Sequence, residues 1–234
     1  MTEVGNHLLD ALTPDELALL RPNLTRVKLV QSTVLQAANK PIQHVYFPVE
    51  GMVSLVAKFE SGDAVEIAAI GKEGAIGTKI GHHPQLAFSS AVVQLPGAAL
   101  RMDAETFQAA ALKNLSIMHI ATCANDVMLT NLQQSVGCNA YHSVEARLCR
   151  WLLQASDHYE SDALPLTQGF LSQMLGTRRT TVQLAASTLA KAGAIDYKRG
   201  KIHIKNRAAL ERHSCECYRA VTQNIQLILE LAKR

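Results

Sequence analysis

Short alternating runs fill the first hundred residues, and helical periodicity takes over after about residue 103. Thr13, Pro14 and Glu16 carry a capping-box signature, with Thr13 as cap, Pro14 at the first helical position and Glu16 reaching back; Pro22 ends that short helix. Val53, Leu55, Ala57 and Phe59 alternate with Ser54, Val56, Lys58 and Glu60, which predicts a half-buried strand. Ser61, Gly62 and Asp63 make a hairpin turn into a second strand over 64–70. Glycines at 51, 62, 71, 74, 77 and 81 punctuate this region at intervals that predict a small sandwich or jelly roll.

Asp103 opens a short helix, and a long one follows. In it Leu115, Met118, Thr122, Asn125, Leu129, Leu132 and Val136 alternate at steps of three and four, a heptad seam with one polar member. Ile117, Ile120, Ala121, Ala124 and Val127 form a second apolar stripe. One face is therefore expected to pack on the β-domain and the other on a second copy of the chain. Met118, Asn125, Leu129, Leu132 and Val136 are the dimerisation residues, and Asn125 pairs with its symmetry mate; the alternative is a helix buried between two domains. Residues 137–139 are expected to loosen the helix. Val144, Leu148, Trp151 and Leu152 then resume a helical stripe, and 157–165 reads as polar loop.

Residues 166–182 read as helix, tight turn, helix. Thr167 caps the first helix, Leu171 and Leu175 give it an apolar face, small Ser172 permits close approach, and Gly176 supplies a left-handed turn position. Val182 and Leu189 anchor the second helix, leaving Arg178, Arg179, Thr180, Thr181 and Gln183 at its exposed start, where side chains of these types read base edges and grip phosphates. A basic hairpin over 194–204, turning at Gly200, could flank the backbone as a wing.

Composition narrows the class. The 234 residues are 48% hydrophobic and 18% charged, which excludes disorder, and only 13 Gly and 7 Pro exclude collagen-like or low-complexity chains. The start lacks a basic and an apolar signal region, and the longest stretch free of Lys, Arg, Asp and Glu, 80–100, carries two histidines, two glutamines and two prolines, so a cytoplasmic protein without membrane contact is expected. The net charge of +3 is unevenly spread. Eight Lys/Arg and one acid, Asp196, fall between residues 178 and 207, while the remaining chain is acidic, so the basic segment points to an anionic partner. The five cysteines, at 123, 138, 149, 215 and 217, form no Cys-x-x-Cys pair, so no disulfide framework is expected.

The whole chain resembles the Crp/Fnr family of bacterial transcription regulators. The likeness is carried by Gly176, Arg179, Thr181 and Val182 in the recognition region, by Val136–Gly137 at the expected hinge, and by a turn into a strand over 46–51. It implies an α+β fold: a double-stranded β-roll over 1–110, a long dimerisation helix over 111–138, a winged helix-turn-helix over 139–213 and a C-terminal helix over 214–234. It also implies a homodimer on double-stranded DNA with a palindromic site, with RNA polymerase as the partner that activation would need. Gln168, Arg178, Arg179, Thr180, Thr181, Gln183 and Lys201 are the expected DNA-binding residues.

The departures bear on the signal. Cyclic AMP binders of the family carry Gly-Glu and Arg-Ser pairs in a phosphate cassette; here the matching Gly77, Thr78, Ser89 and Ser90 form a degenerate cassette. Losing the Arg removes a charge-assisted contact of roughly 1.5–3 kcal/mol. The adenine-facing Thr-Ser pair is replaced by Leu132 and Gln133, and no cysteine precedes Cys123 to hold the family's iron–sulfur cluster. Cyclic AMP and an iron–sulfur cluster are therefore not expected, and the cofactor is left open. In the reading set, Thr180 and Leu184 stand where the family has Glu and Arg, which implies a different half-site.

Other signals weigh less. Cys215, Cys217 and His213 offer metal ligands, but no second pair completes four, so no metal site is assigned and redox regulation is the alternative. Cys123 and Cys149 read as small core residues, and His82–His83 as a solvated pair. No catalytic motif is present, so an enzyme is not expected. The rivals are a constitutive DNA binder and a small-molecule-binding module that acts through proteins without DNA.

Overall fold

The computed structural model describes residues 4–81, 84–159, 161, 163–198 and 201–233; the paired histidines His82 and His83 and the wing turn at Arg199 and Gly200 lie outside the described residues. After a single 3-10 turn, helix α1 (Pro14–Leu20) starts on the expected capping box: the Thr13 hydroxyl accepts from the Glu16 amide, and Glu16 Oε2 accepts from the Thr13 amide at 2.8 Å. Strands β1 (Thr25–Leu29), β2 (Val34–Gln36), β3 (His44–Lys58), β4 (Ala64–Ile70) and β5 (Ser90–Asp103) follow. They form one antiparallel sheet in the order β1-β5-β3-β4, with β2 also on β5. The 15-residue β3 and 14-residue β5 run side by side through several register shifts, and these bends let one sheet coil into a roll.

The expected turn over 46–51 is instead part of β3. Its irregularity is a bulge at Gly51, whose φ is +83° and where a Cβ would stand 2.6 Å from the Leu95 carbonyl oxygen.

Asp103 caps α2 (Ala104–Lys113), and Asn114 caps the 27-residue α3 (Leu115–Tyr141). The expected loosening at 137–139 does not occur. The helix runs through Gly137, and the His142 amide still reaches the Cys138 carbonyl at 3.0 Å; Ser143 then caps α4 (Val144–Asp157). Beyond α4 come β6 (Ala163–Leu164), set in the expected polar loop, then α5 (Gln168–Met174), α6 (Arg179–Lys191), β7 (Ile195–Lys198), β8 (Lys201–Ile204), α7 (Arg207–His213) and α8 (Cys217–Ala232). Strand β8 is the centre of a three-stranded sheet, β6-β8-β7.

Packing explains a further correction. Met52, Val53, Ser54, Leu55 and Val56 are all buried, so this strand is covered on both faces. Val53 and Leu55 face the roll interior with Ile70 and Val93. Met52 and Val56, with Ala64, Ala69 and Leu95, join Leu148, Trp151, Met174 and Leu175 in one continuous core. The helix-turn-helix region is thus seated directly on the outer face of its own roll, with α4 and α5 both packed against it. Helix α8 runs antiparallel to α3: Cys217 lies at Gln134, while near the other end the Leu231 carbonyl meets His119 Nε2 at 3.0 Å. Among the described residues no helix is long and apolar enough to cross a membrane.

Candidate nucleic-acid interface

Thr167 caps α5 through the Phe170 amide at 3.2 Å, as the sequence predicts. Gly176 has φ +57°, and a Cβ there would stand 2.9 Å from Val65 Cγ2, so this turn requires glycine both for its backbone and for its contact with the roll. Val182 and Leu189 are fully buried under α6. The opposite side of its first two turns presents Arg178, Arg179, Thr180 and Gln183 to solvent, with Thr181 half-buried. Among the described residues no carboxylate lies within ion-pair distance of Arg178, Arg179 or Lys201. The Arg179 guanidinium lies over Gly169, where a Cβ would come within 3.0 Å of Nη2. Arg178 gives α6 no side-chain cap, and the Thr181 amide turns back to the Arg178 carbonyl at 3.0 Å. Leu184, 71% exposed, sits on the same helix.

The flanking residues divide. Gln168 begins α5, half-buried, and Lys201 stands exposed at the start of β8. Asp196, the acid of the wing, is bound to Lys198 at 2.7 Å; this bond holds the carboxyl below its usual range and the ammonium above. Arg207, although inside the basic segment, turns away to Asp157 at 2.8 Å and to Glu211 and Tyr218.

A buried polar anchor, which sequence reasoning missed, fixes this domain to the roll. Glu66 on β4 accepts from Trp151 Nε1 at 2.9 Å and from the Ser54 hydroxyl. Burial pushes its carboxyl up, against the lowering effect of Ser54, Arg150 and Trp151. A lone acid within an otherwise apolar strand was the available signal. Nearby, His158 stands 3.5 Å from the buried Glu73, and the Gly51 amide donates to the His158 carbonyl at 3.1 Å.

Between the roll and α3 lies a cavity of about 510 Å³, to which the structure brings Gly77, Thr78 and Ser89 of the degenerate cassette. Ser90 is not among its lining: its hydroxyl is buried and accepts from the Ala38 amide at 3.3 Å. The wall is mostly apolar, with Leu55, Ile67, Ile76 and Met128. Its cation, Lys79, is already engaged by the Leu86 carbonyl at 3.1 Å and by the Phe88 ring at 3.8 Å. Asn125, Leu129 and Leu132, three of the expected seam residues, close the α3 side. Along that seam Leu115 is 87% and Val136 72% exposed and Leu129 is also exposed, whereas Met118, Asn125 and Leu132 are half-buried. The second stripe, Ile117, Ile120, Ala121, Ala124 and Val127, is wholly buried.

Residues 146–213 match the family model of the Crp-like helix-turn-helix domain. No curated protein sequence matches the chain significantly. Among solved structures, FixK2 from Bradyrhizobium japonicum aligns with a TM-score of 0.68 at 16% identity, covering 82% of this chain and 98% of that one. A putative transcriptional regulator of the Crp/Fnr family from Eubacterium rectale gives 0.67 at 14%, covering 88% and 96%. A CRP/FNR-family regulator from Thermus thermophilus gives 0.65 at 19%, covering 81% and 98%. Likeness at this level of identity establishes the α+β fold these regulators share.

Proposed function

We propose that this chain, which carries a Crp-like helix-turn-helix domain on the fold of the Crp/Fnr regulators, works as a homodimeric transcription regulator on two-fold symmetric duplex DNA. The DNA-binding class follows from the domain; the assembly, the operator and the control are our reading. The observation that carries it is the unpaired, solvent-facing start of α6, where Arg178, Arg179, Thr180 and Gln183 stand clear of any carboxylate among the described residues.

The exposed α3 stripe closes the dimer, with Asn125 against its mate. Two copies of α6 then enter successive major grooves. Arg179, steadied over Gly169, addresses a guanine edge, while Thr180 and Gln183 contact neighbouring bases. Arg178, Thr181, Gln168 and Lys201 hold phosphates and set the register. Activation would add a contact with RNA polymerase. No enzymatic step is assigned, and the setting is the cytoplasm.

The 510 Å³ cavity favours effector control over constitutive binding. Its α3 wall shares Asn125, Leu129 and Leu132 with the seam, so a ligand there bears on how the two protomers meet. Its apolar lining and engaged lysine fit an apolar effector better than a cyclic phosphate.

The test is selection of bound sequences from a random duplex pool with purified protein, with and without candidate effectors, beside an Arg178→Ala/Arg179→Ala variant. Recovery of a palindromic site that the variant fails to enrich supports the reading. If parent and variant enrich nothing under every condition, or the same sequences equally, the reading fails.

A further inference from the structure

Outside the DNA-facing surface, the fold gathers Cys138, His142, Cys215 and Cys217, whose ligand atoms all lie within 4.8 Å of one another. Cys138 and His142, four apart, occupy one face at the C-terminal end of α3, and Cys215 and Cys217 flank the junction of α7 and α8. We propose that these four side chains form a mononuclear zinc site that fastens the C-terminal helix to the α3–α4 corner.

The spacing fits a single tetrahedral ion. Zinc–sulfur bonds of about 2.3 Å and zinc–nitrogen bonds of about 2.0–2.1 Å set ligand atoms about 3.5–3.8 Å apart around a tetrahedron. Here Cys138 Sγ and Cys215 Sγ are 3.6 Å apart, and Cys217 Sγ and His142 Nδ1 3.4 Å. Four atoms drawn this close enclose one ion, not a cluster of several irons and sulfides. Three thiolates and an imidazole make a closed structural zinc set, and the soft sulfur ligands select against magnesium or calcium.

The surroundings are built for it. His142 Nε2 faces a Glu216 carboxylate oxygen at 3.3 Å, which fixes the ring with Nδ1 turned to the sulfurs, the carboxylate–histidine support that zinc ligands use. Gln134 Nε2 donates to Cys217 Sγ at 3.0 Å. Two arginines of α4, Arg147 and Arg150, are each only 8% exposed, and each leaves a buried Nε without a partner. Among the described residues Arg147 bonds only to carbonyls, of Asn139 and Leu175, while Arg150 reaches the Ser135 hydroxyl at 3.4 Å. Buried cations call for compensating anions. Zinc with three thiolates carries one net negative charge, the sign that buried guanidinium groups call for. The fourth ligand is not the adjacent His213, which turns to Glu145 at 3.3 Å.

The experiment is metal analysis by mass spectrometry on the full chain purified without affinity histidines or chelators. It is paired with cobalt titration of the zinc-stripped protein, read by thiolate charge-transfer and tetrahedral ligand-field bands. The expected result is about one zinc per chain, and cobalt bands of a tetrahedral thiolate site. Cys138→Ser and Cys217→Ser should lose the metal, while Cys149→Ser, which alters a buried cysteine outside the cluster, should keep it. The proposal is overturned by parent protein that holds no zinc and gives no tetrahedral cobalt spectrum, by zinc that persists in both serine variants, or by a Cys138–Cys215 disulfide in the protein as isolated under reducing conditions. Because the cobalt spectrum is read on the parent chain, a serine variant that fails to fold does not shield the proposal.

Discussion

Trp151→Phe tests whether the helix-turn-helix domain is held to its roll by the Glu66 anchor. The indole N–H donates to Glu66 Oε1 at 2.9 Å in a site where Trp151 is 2% exposed. Phenylalanine keeps most of the ring against Phe170, whose centroid lies 6.2 Å away, but removes the donor. Leaving a buried acceptor short of a partner costs about 1–3 kcal/mol. The smaller ring vacates roughly 40 Å³, which adds about 1 kcal/mol at the usual cavity cost. A total of about 2–4 kcal/mol should therefore appear in urea denaturation at fixed protomer concentration. The sign of the pH dependence follows from Glu66. Its folded carboxyl is already raised, and Trp151 is among the groups that lower it. Losing the donor raises it further, so the folded state holds its proton more tightly and the extra cost appears as pH rises above the ordinary carboxylate range. The Trp151→Phe penalty should thus be larger at pH 8 than at pH 5, and that pH dependence should vanish in a Glu66→Gln background. A penalty under about 0.5 kcal/mol, well below the loss of a buried hydrogen bond, or an identical pH dependence in both backgrounds, would refute the reasoning.

Three further outcomes follow from the same geometry. Arg179→Ala should cost about 1–3 kcal/mol per half-site on the selected operator but little on random duplex; equal weakening on both in fluorescence anisotropy would make Arg179 a phosphate contact. Leu129→Glu with Val136→Glu should leave a folded monomer by light scattering at micromolar concentration, and a dimer that survives would exclude the α3 seam. Gly176→Ala places a Cβ at φ +57° against Val65, and about 1–2 kcal/mol of left-handed strain should lower the thermal midpoint by several degrees; an unchanged midpoint would show that the turn relaxes freely.

Features that depend on neighbours in sequence were legible. The Thr13–Glu16 box, the Ser61–Asp63 turn, the caps at Asp103 and Thr167 and the left-handed Gly176 all appear as local chemistry dictates. The two stripes of α3 also separated as their spacing implied, one buried and one largely open. What failed was alternation as a guide to exposure in β3, because its outer face is covered by α4 and α5, supplied about a hundred residues later. Gly137 misled for a related reason: its backbone freedom suggested a break, yet the helix continues to Tyr141. The Cys/His quartet was half visible. Cys215 and Cys217 announce themselves, but Cys138 and His142 join them only because α8 folds back to the end of α3.

That return of α8 along α3 also orders the chain's biogenesis. Ribosomes deliver a chain from its N-terminus at roughly 5–20 residues per second, so the roll, α3 and the helix-turn-helix all emerge before Cys217–Ala232 exists. Until then the α3 surface that will meet Ile225, Ile228 and Leu229 stays open. The nascent protein therefore exposes two apolar sides of one helix at once, that surface and the open stripe through Leu115, Leu129 and Val136, and only the arrival of α8 distinguishes them. For the dimer proposed above, correct pairing of two such chains is accordingly an event that follows translation of the segment that covers the other side.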